Sequence, residues 1–503
     1  MAKYYLGLDQ GTTGVTAILF DTNWHQVSRG YCEIRQIYPQ AGWVEHDPLD
    51  IWNSVCFAVT QALSDAAASP ADILCVGVDH EGESVMLWDK ESGLPVYNAI
   101  VWQDRRTSEK SDALNTTHGD FIREHTGLTA DSYFSALKLQ WLLQNVPETQ
   151  KLLAKNRLLC GTMDTWLVWK MTGGAVHATD ISTGSRTMLM NLQKGCWDDE
   201  VLSLLDIPRA ILPTILPSDG NFGRCIPDLF CGISAPITGV LVDQQAALFG
   251  QACFTQGTVK TTYGTGCFMQ MNTGDKIVET TSGLLPMVCW NTGGKTTYGL
   301  DGGIYISGAA TQWLRDGLKI ISSAAETETM AYAAGTNNGV YFVPAFTGLA
   351  APYWDSYARG TLIGITGGTT REQIVRATLE ATAYQVSDLL KAMEKDSSTS
   401  ISAMRCDGGA VANGFLMQFQ ADILNIPLLI PEITETTALG AAFMAAIGGG
   451  FINSPNELQN HWRLARTYEP KMGNDERSHL LFQWHRAVER TRDWAREIQE
   501  CVI

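Results

Sequence analysis

One pattern recurs in both halves of the chain: a strand-like run, a tight turn of Gly and Thr, then a second strand-like run. In the first half "YYLGL" (residues 4–8) and "VTAILF" (15–20) flank the turn "DQGTTG" (9–14). In the second half "TVKTTYGTGCFMQM" (258–271) repeats the arrangement, and the helix-like segment "GAATQWLRDGLKI" (308–320) follows. The pattern is shared but the residues are not, which predicts two related domains rather than a repeat array. Elsewhere strand-like and helix-like runs alternate, as in α/β proteins. Residues 48–68 read as a helix, with Asp47 as its cap and Pro48 in its first turn. Ile51, Val55, Ala58, Val59, Ala62 and Leu63 form its apolar face, and "DILCVGVD" follows as a buried strand. A division near residue 250 gives an N-terminal domain of residues 1–248 and a C-terminal domain of 249–503. No long Pro/Ser-rich linker separates them, so the halves are expected to pack closely around a cleft. The charged tail, 470–503, reads as helical.

Length and charge narrow the function. With 503 residues the chain can build two or more sizeable cores. A net charge of -17 argues against nucleic acid or an anionic membrane as partner, since phosphate surfaces require clustered Lys and Arg. Twelve Cys without a C-x-x-C pair read as reduced thiols of a cytoplasmic protein, not as a zinc site or disulfide framework. "MAKYYLGLDQG" enters a strand at once, with no signal-peptide core. The longest apolar stretch, "TALGAAFMAAIGGGFI", is too short and Gly-rich for a membrane span.

Several segments carry candidate chemistry. In "DQGTTG", Gly lets backbone N–H groups approach an anion and Thr hydroxyls add donors; Asp9 at the strand end suits Mg²⁺, which takes oxygen ligands and bridges to phosphates. A plain hairpin turn explains the same residues. "YGTGC" (263–267) repeats the chemistry, and "CDGGAVANGF" (406–415) adds a strand end followed by a helix N-terminus. Two such turns facing each other would grip a polyphosphate from both sides. Asp243, in "GVLVDQQAALFGQ", stands at a strand–helix junction, where a helix cap and a general base are both open roles. "VGVDHEGESVMLW" (76–88) places Asp79, His80, Glu81 and Glu83 between two strands, as a solvated loop or as a binding wall.

"LDQGTTG", "GWVEHDPLDIW", "YNAIVWQDRRT", "GTMDTWLVWKMTGG", "DQQAALFGQ", "TYGTGCF", "VPAFTGLAAPYWDSYARG" and "DGGAVANGFLMQFQADIL" together resemble the FGGY family of carbohydrate kinases, most of all its glycerol-phosphorylating members. "YFSALKLQWLLQN" (133–145) and "GTLIGITGGTTREQIVRATLE" (360–380) fit the family's two signatures. The resemblance covers nearly the whole chain apart from the tail. It implies an α/β fold of two actin-like (ribonuclease H-like) domains with a central ATP/substrate cleft, and transfer of the γ-phosphate of ATP to a primary hydroxyl of a small polyol. By the same resemblance Asp243 is the catalytic base. Thr12, Thr13, Gly14 and Thr265 line the phosphates, Gly308, Gln312, Gly409 and Asn413 hold the nucleotide, and Asp9 contributes to Mg²⁺ binding. Glu83, Trp102, Tyr133, Asp243, Gln244 and Phe268 surround the polyol. The family also implies a homo-oligomer.

Two departures stand out. The glycerol-phosphorylating members carry Arg at the position of Gly82, and Arg or Lys at that of Thr16. Loss of the first removes a fork of donors and is expected to leave a void, which admits a longer polyol such as erythritol alongside glycerol. Loss of the second weakens the charge balance near the phosphates. Asp79, His80 and Glu81 either meet added hydroxyls or face solvent. A non-catalytic sensor that binds nucleotide and polyol is the competing reading. An actin-like filament or chaperone ATPase is a third, which leaves Trp102, Tyr133 and Phe268 without a purpose.

Overall fold

The computed structural model describes residues 2–496. Its two main sheets share one topology. In the first, β1 (Tyr4–Gln10), β2 (Gly14–Asp21) and β3 (Gln26–Glu33) run antiparallel, and β4 (Ile73–His80) and β5 (Ile237–Val242) add parallel strands on the other side of β1, in the order β5-β4-β1-β2-β3. In the second, β6 (Val259–Tyr263) and β7 (Cys267–Gly274) form the hairpin, extended by β8 (Leu285–Thr292) and β9 (Lys295–Ile304). Parallel β10 (Met404–Asp407) and β11 (Leu428–Pro431), then antiparallel β12 (Leu464–Tyr468), complete the order β8-β9-β7-β6-β10-β11-β12. The recurring pattern read from the sequence is thus a recurring sheet.

Local chemistry explains the helices. Asp47 caps α1 (Pro48–Asp65) by accepting from Leu49 N at 2.9 Å, and the predicted apolar stripe is buried beneath it. Helices α2 (Ser135–Asn145), α3 (Asp243–Gly250), α4 (Gly308–Asp316), α5 (Arg371–Ser397) and α6 (Gly414–Leu424) follow. The longest apolar stretch becomes α7 (Thr436–Gly448), a buried helix that comes from the second half of the chain yet packs on β1, β4 and β5 of the first sheet. Only glycine allows this approach: a Cβ at Gly7 or Gly77 would overlap the carbonyls of Ala438 and Ala441. Among the described residues no helix is long and apolar enough to cross a membrane, and every cysteine is free. The tail forms a helix over Asn474–Thr491, and the rest of that prediction beyond residue 496 lies outside the described residues.

The topology gathers charge at one edge. Asp9 and Asp79 are register partners near the carboxyl ends of β1 and β4, and Asp243 opens the helix that leaves β5. Carboxyl ends of parallel strands are where α/β sheets bind ligands. Asp407, paired with Thr262, ends β10 in the same way on the second sheet.

Candidate active site

The first Gly/Thr turn is closed by Gly11 N donating to the Gly14 carbonyl at 3.0 Å. Thr12 Oγ1 accepts from the indole of Trp102 at 2.9 Å, and the Thr13 carbonyl accepts from Ile34 N at 3.0 Å. A side chain at Gly14 would strike the Tyr31 ring at 2.6 Å. The second turn docks on α4: Gly308 N and Ala309 N donate to the carbonyls of Gly264 and Thr265, each at 3.0 Å. A Cβ at Gly308 would stand 2.6 Å from the Gly264 oxygen, so the residue types in these turns are set by backbone proximity.

Thr265, Gly308, Gln312, Gly409 and Asn413 line one cavity of about 510 Å³. Asn413 is the cap of α6, accepting from Leu416 N at 3.0 Å while its amide donates to Thr327 Oγ1 at 3.0 Å. Gly409 has open space beside it, as a nucleoside face requires. Thr12, Thr13 and Gly14 lie outside this cavity, on the hairpin of the other sheet.

Trp102, Tyr133 and Phe268 line a second, tighter recess of about 50 Å³, which Asp301 also borders. The Trp102 ring meets Tyr133 and Phe268 edge-on at 5.6 and 6.5 Å. Glu83 is buried; it adopts a left-handed backbone (φ 60°), a conformation that concentrates at functional sites. Its Oε1 accepts from Arg186 Nε at 2.6 Å, and Arg186 Nη1 stands 3.2 Å from Asp301 Oδ2. Burial raises the Glu83 carboxyl above its ordinary value despite the opposing pull of Arg186. Gln244 turns its amide oxygen to the buried Lys260 ammonium at 2.6 Å.

Asp243 does not cap its helix. Val242 occupies the cap position, and the Asp243 carboxylate accepts from Gln244 N at 2.6 Å within the first turn. Burial, then the charges of Glu83 and Asp9, pushes its carboxyl up to about 7. Asp9 is pushed up to about 6, chiefly by burial and against a 2.8 Å bond from Thr437 Oγ1. Asp79 is held well above the carboxylate range by burial and by Asp9, and neither of its oxygens finds a donor. Two buried carboxyls side by side with open oxygens fit a hard cation or a shared proton. Among the described residues no group of three or more His, Cys, Asp and Glu side chains is disposed to hold a metal. Mg²⁺ takes one or two carboxylates and completes its shell with water and phosphate.

The stretch between β4 and the next strand is no solvated loop, and His80 and Glu81 are held by protein partners. His80 bridges Thr183 Oγ1 (2.9 Å) and the Glu81 carbonyl (2.8 Å), and Glu81 meets His46 at 3.2 Å. All are buried. At Gly82 one neighbour is close: a Cβ there would meet Val242 Cγ2 at 2.7 Å. The residues that sequence reasoning passed over are Arg186, Asp301, Lys138 and Lys260. Each is a charged residue in a run otherwise poor in charge, which was the available signal.

Residues 4–250 match the N-terminal domain, and residues 259–449 the C-terminal domain, of the FGGY family of carbohydrate kinases. The chain is 53% identical to glycerol kinase 2 of Thermotoga maritima over 98% of its own length and 99% of the relative's. It is 50% identical to a glycerol kinase of Desulforamulus reducens, with 98% and 99% covered. Among solved structures, Plasmodium falciparum glycerol kinase with ADP superposes with a TM-score of 0.90 at 34% identity, covering 97% of this chain and 98% of that one.

Proposed function

This chain belongs to the FGGY family of carbohydrate kinases, and from that premise we propose how its cleft works. It is an ATP-dependent phosphotransferase with an alcohol acceptor, and the acceptor best supported is glycerol, the substrate named for relatives about half identical over nearly the full chain. The observation that carries the mechanism is the setting of Asp243. Its carboxyl is buried where the helix leaves β5, at the sheet edge that also carries Asp9 and Asp79, and the charges of Glu83 and Asp9 both raise its proton affinity.

A polyol hydroxyl is a poor nucleophile at neutral pH. With its primary hydroxyl at Asp243, the new bond forms from that oxygen to the γ-phosphorus as the bond to the bridging oxygen of ADP breaks. The proton passes to the Asp243 carboxylate, whose raised affinity suits it to the task. Glu83, oriented by Arg186, accepts from a second hydroxyl, while Trp102 and Phe268 cover the carbon–hydrogen faces. Thr12, Thr13, Gly14 and Thr265 face the phosphates; Gly308, Gln312, Gly409 and Asn413 hold the nucleoside. Asp9 and Asp79 would hold Mg²⁺, directly or through water; when bound it neutralises phosphate charge. We take residues 1–248 and 249–503 as the two domains whose closure excludes water. Free, mostly buried thiols favour a reducing compartment such as the cytoplasm.

A non-catalytic sensor has no use for a proton acceptor poised near neutrality. Coupled measurement of ADP release with polyols of three to six carbons tests the reading. Polyol-dependent turnover, fastest with glycerol, is the expected result; ATP binding with no turnover on any polyol would favour the sensor.

A further inference from the structure

We infer that Arg29 is the cation of the first phosphate turn, taking over a charge that the neighbouring strand does not carry. The inference rests on the ATP-binding reading of the cleft and adds a residue to it. Strand register puts Asp9 opposite Thr16, Thr16 opposite Tyr31, and Ile18 opposite Arg29. Pleating sends alternate side chains to one face, so Asp9, Thr16, Tyr31 and Arg29 share the face covered by α7. Arg29 therefore lies diagonally across from Thr16, within reach of a long side chain. Its Nη2 stands 3.4 Å from Thr16 Oγ1, which is the position where the resembling kinases place their cation.

Two further contacts tie the guanidinium to the phosphate turn. It lies over the Tyr31 ring at 5.1 Å, and Tyr31 packs against Gly14. Its Nε pairs with Glu435 Oε1 at 3.1 Å, two residues before Thr437, whose hydroxyl bonds Asp9. The charges of Glu435 and Arg29 act on the Asp9 carboxyl in opposite senses, the first raising and the second lowering it. The side chain is 39% exposed, so it is free to leave a solvent-screened pair for a stronger one. A polyphosphate at this turn offers pairs of oxygens that the planar guanidinium can bind bidentately, with more charge than a single carboxylate. The turn itself, Gly11–Gly14, contains no basic residue.

The test combines Arg29→Met, Glu435→Gln and the double variant Arg29→Met/Thr16→Arg, read by steady-state kinetics and by the Kd for ATP from quenching of tryptophan fluorescence. Loss of a charge-assisted contact should lower kcat/KM for ATP and raise Kd by about 10–100-fold in Arg29→Met, leaving the KM for polyol within about twofold. Truncation vacates the space beside Thr16, so the double variant should recover at least half of that loss on a logarithmic scale. Glu435→Gln should bind ATP as well as the parent or better, because it frees the guanidinium. Two results overturn the inference. One is an Arg29→Met enzyme within twofold of the parent in both measurements. The other is a loss that Thr16→Arg does not recover and Glu435→Gln reproduces, which would make the pair a latch between β3 and α7. Because Kd is read without turnover, a chain that phosphorylates no polyol would sink the kinase reading and still decide the role of Arg29.

Discussion

The indole nitrogen of Trp102 donates to Thr12 Oγ1 at 2.9 Å, so the wall of the polyol recess is bonded to the phosphate turn. A Thr hydroxyl has one proton and two lone pairs. With a lone pair taken by the indole, the hydroxyl keeps its proton to donate; it lies near the Glu81 carboxylate, and in the proposed mechanism it turns to a phosphate oxygen. One ring thus covers the acceptor and sets a donor for the nucleotide.

Trp102→Phe keeps an aromatic face and removes the bond. The expected outcome is a rise in KM for ATP of about three- to tenfold, in line with one neutral hydrogen bond, together with a rise for polyol. A wall residue with no link to the turn would move the polyol constant alone.

Asp243→Asn tests the base. Turnover should fall by about 10²–10⁴ while Kd for ATP stays near that of the parent. Since Val242 is the cap and Asp243 makes only a bond to its own neighbour, no loss of helix stability should accompany the change. Activity within a few-fold of the parent would remove Asp243 from the chemistry.

The pH dependence follows from the same group. Burial raises the Asp243 carboxyl to about 7 and the neighbouring Asp9 to about 6. The base works ionised, so kcat/KM should climb with pH through this window and level off above it. The two carboxyls interact, so the limb belongs to the pair. In Asp243→Asn the inflection near 7 should vanish from the residual rate; its survival there would assign it to another group.

Much of this was legible in the sequence, and the reasons differ by residue. The Gly/Thr turns, and Asp47 before Pro48, are short-range features whose chemistry is complete within a few residues. The segment from Asp79 to Glu83 is the opposite case. Its charge suggested solvent, yet Glu81 is matched by His46, 35 positions away, and His80 and Glu83 by Thr183 and Arg186, each 103 positions away. No local pattern announces such partners. Asp243 failed as a cap by a single residue, because the strand ends at Val242 and the helix starts one position earlier than a capping Asp requires.

Lys138 shows how the polyol wall is held. Its ammonium is buried and donates to three consecutive carbonyls, those of Ser132 (3.0 Å), Tyr133 (2.5 Å) and Phe134 (3.0 Å). Lys138→Met leaves those acceptors without a donor, at a cost of about 1–3 kcal/mol for each that stays buried. The loop should loosen and release Tyr133. The expected signature is a rise in polyol KM of about tenfold or more with ATP affinity kept, accompanied by a lower Tm. An unchanged polyol KM at reduced Tm would make Lys138 a purely structural group.

Gly82 offers the last test, and the geometry reverses the simplest expectation. An Arg there would be expected to fill a void and favour glycerol over longer polyols. The first carbon of any side chain there would press on Val242, whose Cγ2 would stand 2.7 Å away. Val242 is β-branched, buried and immediately precedes Asp243, so it cannot yield without moving the base. Overpacking of this kind costs about 1–3 kcal/mol, and a displacement of about 1 Å at a reacting group costs about 10²-fold in rate. Gly82→Ala, which adds a methyl and no charge, should therefore lower kcat by about 10–100-fold with glycerol and erythritol alike, leaving their ratio of kcat/KM unchanged. Gly82→Ala/Val242→Ala removes the offending methyl and should restore most of the rate. If Gly82→Ala instead keeps full turnover and shifts the ratio toward glycerol, the pocket is set by volume at residue 82 and not by the seat of Val242 beneath it.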